Sequence, residues 1–203
     1  MKHEEAMRLQ ALTKLESVYW ARGELPGGVD EVGRGPLAGP VLAACVILPP
    51  RPLIEGVNDS KKLSAKRREA LNALIRENAL EIGIGIVDEA TIDRINIRQA
   101  TREAMRQAVL QVSPPCILVD HEKPDVPMPC VSLDHGDALS YLIAAASIVA
   151  KVKRDAMMDE LDKQFPMYGF ARNKGYGTKE HIEAIKKYGL CPYHRRSFTG
   201  KFV

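Results

Sequence analysis

The stretch "GGVDEVGRGPLAGPV", from Gly27 to Val41, decides the fold. Two adjacent acids, Asp30 and Glu31, sit in a run that is otherwise apolar and glycine-rich, and Arg34 follows between two glycines. An unpaired charge inside a buried strand is costly, so acids placed there need a reason. With "PVLAACVILP" after it, the run reads as two short strands joined in a hairpin around "GRGPLAG".

Upstream, Met7, Leu12, Leu15 and Tyr19 recur at helical spacing and predict a helix over residues 4–22, ended by "GELPGG". Downstream, "NDSKKLSAKRREALNALIREN" becomes helical with Ser64 as N-cap. "EIGIGIV" is a strand, and "DEATIDRIN" and "IRQATREAMRQAVLQV" are helical until Pro114 and Pro115 stop them. "CILVD" is a buried strand ending at Asp120, and "HEKPDVPMPC" a proline-rich loop. A long helix is expected from about Asp137 to Phe165, then a loop and a short helix capped by Thr178. Strands alternating with helices predict an α/β layered fold: a mixed sheet covered by helices.

The 203 residues fit one globular domain with a small appendage. Nothing approaches the roughly 18 apolar residues of a spanning helix, and the charged N-terminus lacks the apolar stretch of a signal peptide, so a cytoplasmic protein is expected. Cys45, Cys116, Cys130 and Cys191 show no metal-binding spacing and read as reduced, inert thiols. The net charge of +3 is small, but from Arg172 onward eight Lys or Arg face two Glu, with Tyr176, Tyr188, Tyr193, Phe198 and Phe202 interleaved. Bases attract phosphates and aromatics stack on sugars or bases, although a solvated basic tail has the same composition.

In a regular strand Asp30 and Glu31 point to opposite faces. Asp120 closes a second strand, and Asp137 follows Gly136 at a helix start. Ligand sites of open α/β sheets lie at such places. Converging carboxylates repel unless cations hold them; hard divalent ions such as Mg²⁺ take oxygen ligands, and two of them clamp a displacement at phosphorus. Taken singly, Asp120 also suits a strand-ending turn and Asp137 a helix cap, while the Asp30-Glu31 pair has Arg34 as its one obvious local ion-pair partner.

At these residues the chain resembles ribonuclease HII. "GVDEVGRGPLAGPV", "NDSKKLS", "LVD", "GDA", "AAASIVAKVKRD", "KGYGTKEH" and "HRRSF" stand in that family's order and spacing, over about residues 27–199. The resemblance implies a ribonuclease H-like fold: a central mixed β-sheet flanked by helices, with a C-terminal helical segment. It divides the chain into an N-terminal helical extension, 1–26, with no catalytic role assigned, and a catalytic domain, 27–203. It implies an endonuclease acting on RNA/DNA hybrids and on single ribonucleotides in duplex DNA, cutting on their 5′ side to leave 3′-hydroxyl and 5′-phosphate ends. Its metal ligands fall on Asp30, Glu31, Asp120 and Asp137, for two Mg²⁺ or Mn²⁺ ions. Substrate groups fall on Gly33, Arg34 and Gly35, whose backbone reads the ribose 2′-OH; on Tyr176, which stacks on a sugar; and on Asn58, Ser60 and Lys61, which hold phosphates. A monomer is expected.

The chain departs from the family pattern at His121-Glu122-Lys123, where a glycine and a polar loop are usual, and at His135 and Leu139 around "GDA". His121 and Glu122, beside Asp120, are within reach of a metal but read first as part of a flexible surface loop. His181 and His194 are assigned phosphate or structural roles. The rivals are ribonuclease HIII, which carries an additional N-terminal domain, a catalytically dead duplex binder, and a structural protein indifferent to Asp120→Asn.

Overall fold

The computed structural model describes residues 2–203. Five strands form one sheet: β1 (Gly27–Val32), β2 (Val41–Ile47), β3 (Glu81–Val87), β4 (Ile117–Asp120) and β5 (Cys130–Leu133). Their order is β3-β2-β1-β4-β5; the β1–β2 and β2–β3 pairs are antiparallel, and the β1–β4 and β4–β5 pairs parallel. The sheet is therefore mixed, as expected, with the hairpin joined through residues 33–40.

Alternation along β2 divides the core. Leu42, Ala44 and Val46 pack with helix α6 (Tyr141–Gln164), while Val41, Ala43, Cys45 and Ile47 pack with α4 (Glu89–Val112). All seven β2 residues are buried, so this central strand is covered on both faces. The α6 helix comes very close to β1: a Cβ on Gly28 would lie 2.2 Å from the Leu142 carbonyl carbon. Only glycine permits that approach, which brings the start of β1 against the α6 N-terminus.

Several expectations need correction. The N-terminal helix is two pieces, α1 (His3–Leu12) and α2 (Glu16–Trp20). Met7 is 59% exposed, and Leu9 with Leu12 joins the α6-side core instead. The expected helix from Asp137 is interrupted: a short α5 (Gly136–Leu139) precedes α6, and Ser140 caps α6 by accepting from the Ile143 N–H. Strand β5 was not foreseen. It is short, half-buried throughout, and among the described residues pairs only with β4. The two segments read as helices around Asn96 run on as α4, kinked at Asn96, where φ is 67°. Helix α3 (Ala65–Asn78) begins at the Ser64 cap and α8 (Lys179–Tyr188) at the Thr178 cap, as read. Two short helices, α7 (Phe170–Asn173) and α9 (Arg196–Thr199), complete the C-terminal part. No helix among the described residues is long and apolar enough to cross a membrane.

Candidate active site

Asp30 lies opposite Ala44 and Glu31 opposite Ala43, so the two acids leave β1 on its α6 and α4 faces respectively. Both stand near the C-terminal end of β1. Asp120 ends the neighbouring parallel strand, and its Oδ1 accepts from the Gly136 N–H at 2.7 Å. That bond pins the start of α5, which carries Asp137 one residue later. Glu16 of α2 supports the same turn from below. Fully buried, it accepts through Oε1 from the Ser140 hydroxyl and from the Leu142 N–H.

The four acids share one electrostatic field. Burial, reinforced by Glu31, Asp120 and Asp137, pushes the Asp30 carboxyl well above the usual carboxylate range. Burial also raises Glu31, with Arg34 opposing and Asp120 adding to the shift. Asp137 is raised by burial, against the pull of Lys61 and with Asp59 and Asp120 reinforcing. Neutralisation is partial. Lys61 Nζ lies 3.3 Å from Asp137 Oδ2, and Arg34 Nη1 lies 3.6 Å from Glu31 Oε1. Asp30 and Asp120 have no ion-pair partner among the described residues. As the side chains stand, no three His, Cys, Asp or Glu among the described residues are gathered closely enough to hold a metal ion. The donor set is nevertheless all carboxylate oxygen with surplus negative charge, which is the chemistry a hard divalent cation requires.

Gly33, Arg34 and Gly35 begin the β1–β2 connection. Gly33 has φ +92°, and a Cβ there would lie 2.2 Å from Arg154 Nε, so both conformation and space demand glycine. A Cβ on Gly35 would lie 3.7 Å from Tyr176 Cε1, so the loop faces that ring. Tyr176 is 43% exposed, on a loop as its flanking glycines indicated. The Asn58 Oδ1 accepts from the Asp59 N–H, and the buried Ser60 donates its N–H to Ser147 Oγ at 3.2 Å. Of the "NDSKKL" trio, only Lys61 therefore points its charge at the acids, and it does so while largely exposed.

Glu122 is the clearest departure from expectation. Instead of a flexible surface loop, it is 5% exposed and accepts from Arg98 Nε at 3.1 Å, with Arg34 and Arg102 guanidinium nitrogens each 3.8 Å away. Arg34 thus spans Glu31 and Glu122. His181 and His194 prove structural: both are buried, with their Nε2 atoms 3.0 Å apart. His194 Nδ1 accepts from the Cys191 N–H, so its Nε2 must carry the proton and donate to His181. His181 Nδ1 then donates to the Tyr176 carbonyl at 2.9 Å.

Two buried arginines escaped the sequence reading. Arg154 of α6 donates to the carbonyls of Pro40, Ala38 and Lys174. Arg195 donates to those of Gly33, Arg34 and Gly39. Both side chains are 0% exposed, and burial lowers both pKa values. The available signal was arginine in "VAKVKRD" and "HRRSF", each beside apolar sequence. A cleft of about 1020 Å³ lies along α4 and the Lys123–Asp125 loop, and none of the four acids lines it.

The family described as Ribonuclease HII matches residues 27–201. Ribonuclease HII of Acetivibrio thermocellus is 53% identical over 208 aligned positions, covering 100% of this chain and 81% of that protein. Ribonuclease HII of Archaeoglobus fulgidus, solved with PCNA, superposes with a TM-score of 0.72 at 28% identity, covering 84% of this chain and 93% of that one. Ribonuclease H2 of Pyrococcus horikoshii gives 0.73 at 26% identity, over 87% and 95% of the two chains.

Proposed function

Because the chain belongs to the ribonuclease HII family and is thus an RNase H-type nuclease, we propose that it is a metal-dependent endonuclease. Its substrates are the RNA strand of RNA/DNA hybrids and single ribonucleotides in duplex DNA, cut on the 5′ side of the ribonucleotide. The observation that supports this reading is the electrostatic coupling among Asp30, Glu31, Asp120 and Asp137, with burial first and mutual repulsion second raising three of them. A site that keeps such charge unneutralised is built for cations.

Asp30, Glu31, Asp120 and Asp137 would hold two Mg²⁺ or Mn²⁺ ions. When bound, these supply an activated water and neutralise the charge that develops on the phosphate. The chain does the rest by position. Glu122 shares Arg34 with Glu31, leaving that carboxylate a weaker internal partner. Gly33, Arg34 and Gly35 offer backbone groups to the 2′-OH, and Tyr176 offers its ring to the adjoining sugar. Lys61 turns from Asp137 to a backbone phosphate, with Asn58 and Ser60 shaping its turn.

A labelled DNA duplex with one ribonucleotide tests this. A cut just 5′ of the ribonucleotide, present with Mg²⁺ or Mn²⁺ and absent without, is expected. Cleavage confined to long hybrids would favour ribonuclease HIII-like specificity, and binding without cleavage would favour a dead duplex binder.

A further inference from the structure

The segment 33–40 is hydrogen-bonded both to the Tyr176 loop and to residues 193–195. The Leu37 N–H donates to the Gly175 carbonyl at 2.8 Å, and the Gly39 N–H to that of Tyr193 at 2.9 Å. Ala38 pairs with His194 in an isolated bridge. Arg154 and Arg195 then close on the same segment from opposite parts of the chain, one from α6 and one just before α9. Between them they take the carbonyls of Gly33, Arg34, Ala38, Gly39, Pro40 and Lys174. Neither guanidinium has a carboxylate at ion-pair distance among the described residues. Glu89 and Asp93 act on Arg195 only through space.

Burying a guanidinium costs several kcal/mol unless its donors are well satisfied. Two such groups, side by side and repelling each other, are an unfavourable way merely to close a loop. They do provide donors in a fixed fork that holds several carbonyls at once. Sites that must discriminate a single hydroxyl depend on such fixed geometry.

We infer that Arg154 and Arg195 are positioning residues for ribose recognition, holding the backbone of residues 33–40 in the conformation that sets Gly35 against the Tyr176 ring. The inference rests on the proposed function, because it assumes that this loop and Tyr176 read the 2′-OH. Neither arginine touches substrate; both act through the loop.

The test compares Arg195→Lys and Arg154→Lys with the wild-type chain. Single-turnover cleavage at one embedded ribonucleotide is measured beside binding of an all-DNA duplex without metal. Each variant is expected to lose about 30-fold or more in cleavage rate while all-DNA affinity stays within about twofold, because a misplaced loop loses orientation but not phosphate contacts. Cleavage within about threefold of wild type in a folded variant overturns the inference. Rate and duplex affinity falling together, in step with lost thermal stability, also overturn it, since that is a purely structural role. If the lysine variants do not fold, the wild-type chain decides through the NMR signals of the two guanidinium groups. These should exchange slowly and shift on adding a ribonucleotide-containing duplex but not an all-DNA duplex; equal response to both rejects the inference. A wild-type chain that does not cut at the ribonucleotide removes the proposed function instead, and is recognised before any variant is read.

Discussion

The acidic cluster stands beside the start of the loop that the pair of buried arginines holds, and the two treat buried charge in opposite ways. At Asp30, Glu31, Asp120 and Asp137 the charge is left short of partners, and burial and mutual repulsion push Asp30, Glu31 and Asp137 towards protonation. At Arg154 and Arg195 every branch of the guanidinium finds a carbonyl. Unsatisfied charge marks the place a ligand completes; satisfied charge marks where the chain fixes itself. The contrast therefore separates chemistry from scaffold on either side of Gly33.

Mutations should break the comparison with opposite signs. Asp30→Asn is expected to lower cleavage by about 10³-fold or more while leaving thermal stability equal or higher, because it removes a repelled charge. Full activity would take Asp30 out of the site. Arg154→Met is expected to destabilise by about 3–5 kcal/mol in denaturant unfolding, since three carbonyls lose their donor. An unchanged unfolding midpoint would mean the carbonyls find other partners.

A pH series sharpens it further. Burial, with His181 adding to it, lowers His194 to about 4 from an ordinary 6.5. The folded state thus refuses a proton that the unfolded state accepts between those values. The stability that neutral His194 contributes is fully present above pH 6.5 and is lost as pH falls towards 4, at most about 3 kcal/mol. His194→Gln keeps a donor towards His181 and removes the titration. Its stability deficit relative to wild type should shrink across that window; a constant deficit would contradict the neutral pair. The smallest effect is expected at Glu122. Glu122→Gln should free Arg34 to pair more fully with Glu31 and raise the Mn²⁺ concentration for half-maximal rate about threefold. No change would show that Arg34 is held by its loop alone.

Much of the architecture was legible. The acids of "VDEVG" stood out because charge inside an apolar strand has no cheap explanation, and β2 and the caps at Ser64 and Thr178 followed from period and side-chain chemistry. The parts that were not legible share a cause: their partners are distant in sequence. Strand β5 has four half-buried residues without alternation and exists because β4 offers an edge. The break at Ser140 depends on Glu16, far upstream, which turns an unbroken helical pattern into two helices. Glu122 reads as a loop acid until Arg34, Arg98 and Arg102 converge on it. Arg154 and Arg195 look like surface bases because their acceptors are backbone carbonyls, which composition cannot reveal.

The most direct measurement is an anomalous difference map from crystals of the wild-type chain grown with Mn²⁺ and an uncleavable all-DNA duplex. The expected result is manganese density enclosed by Asp30, Glu31, Asp120 and Asp137, with their carboxylates drawn together and Arg154 and Arg195 unmoved. Clear density for the four side chains with no manganese between them would contradict the reading of unsatisfied charge as a cation site.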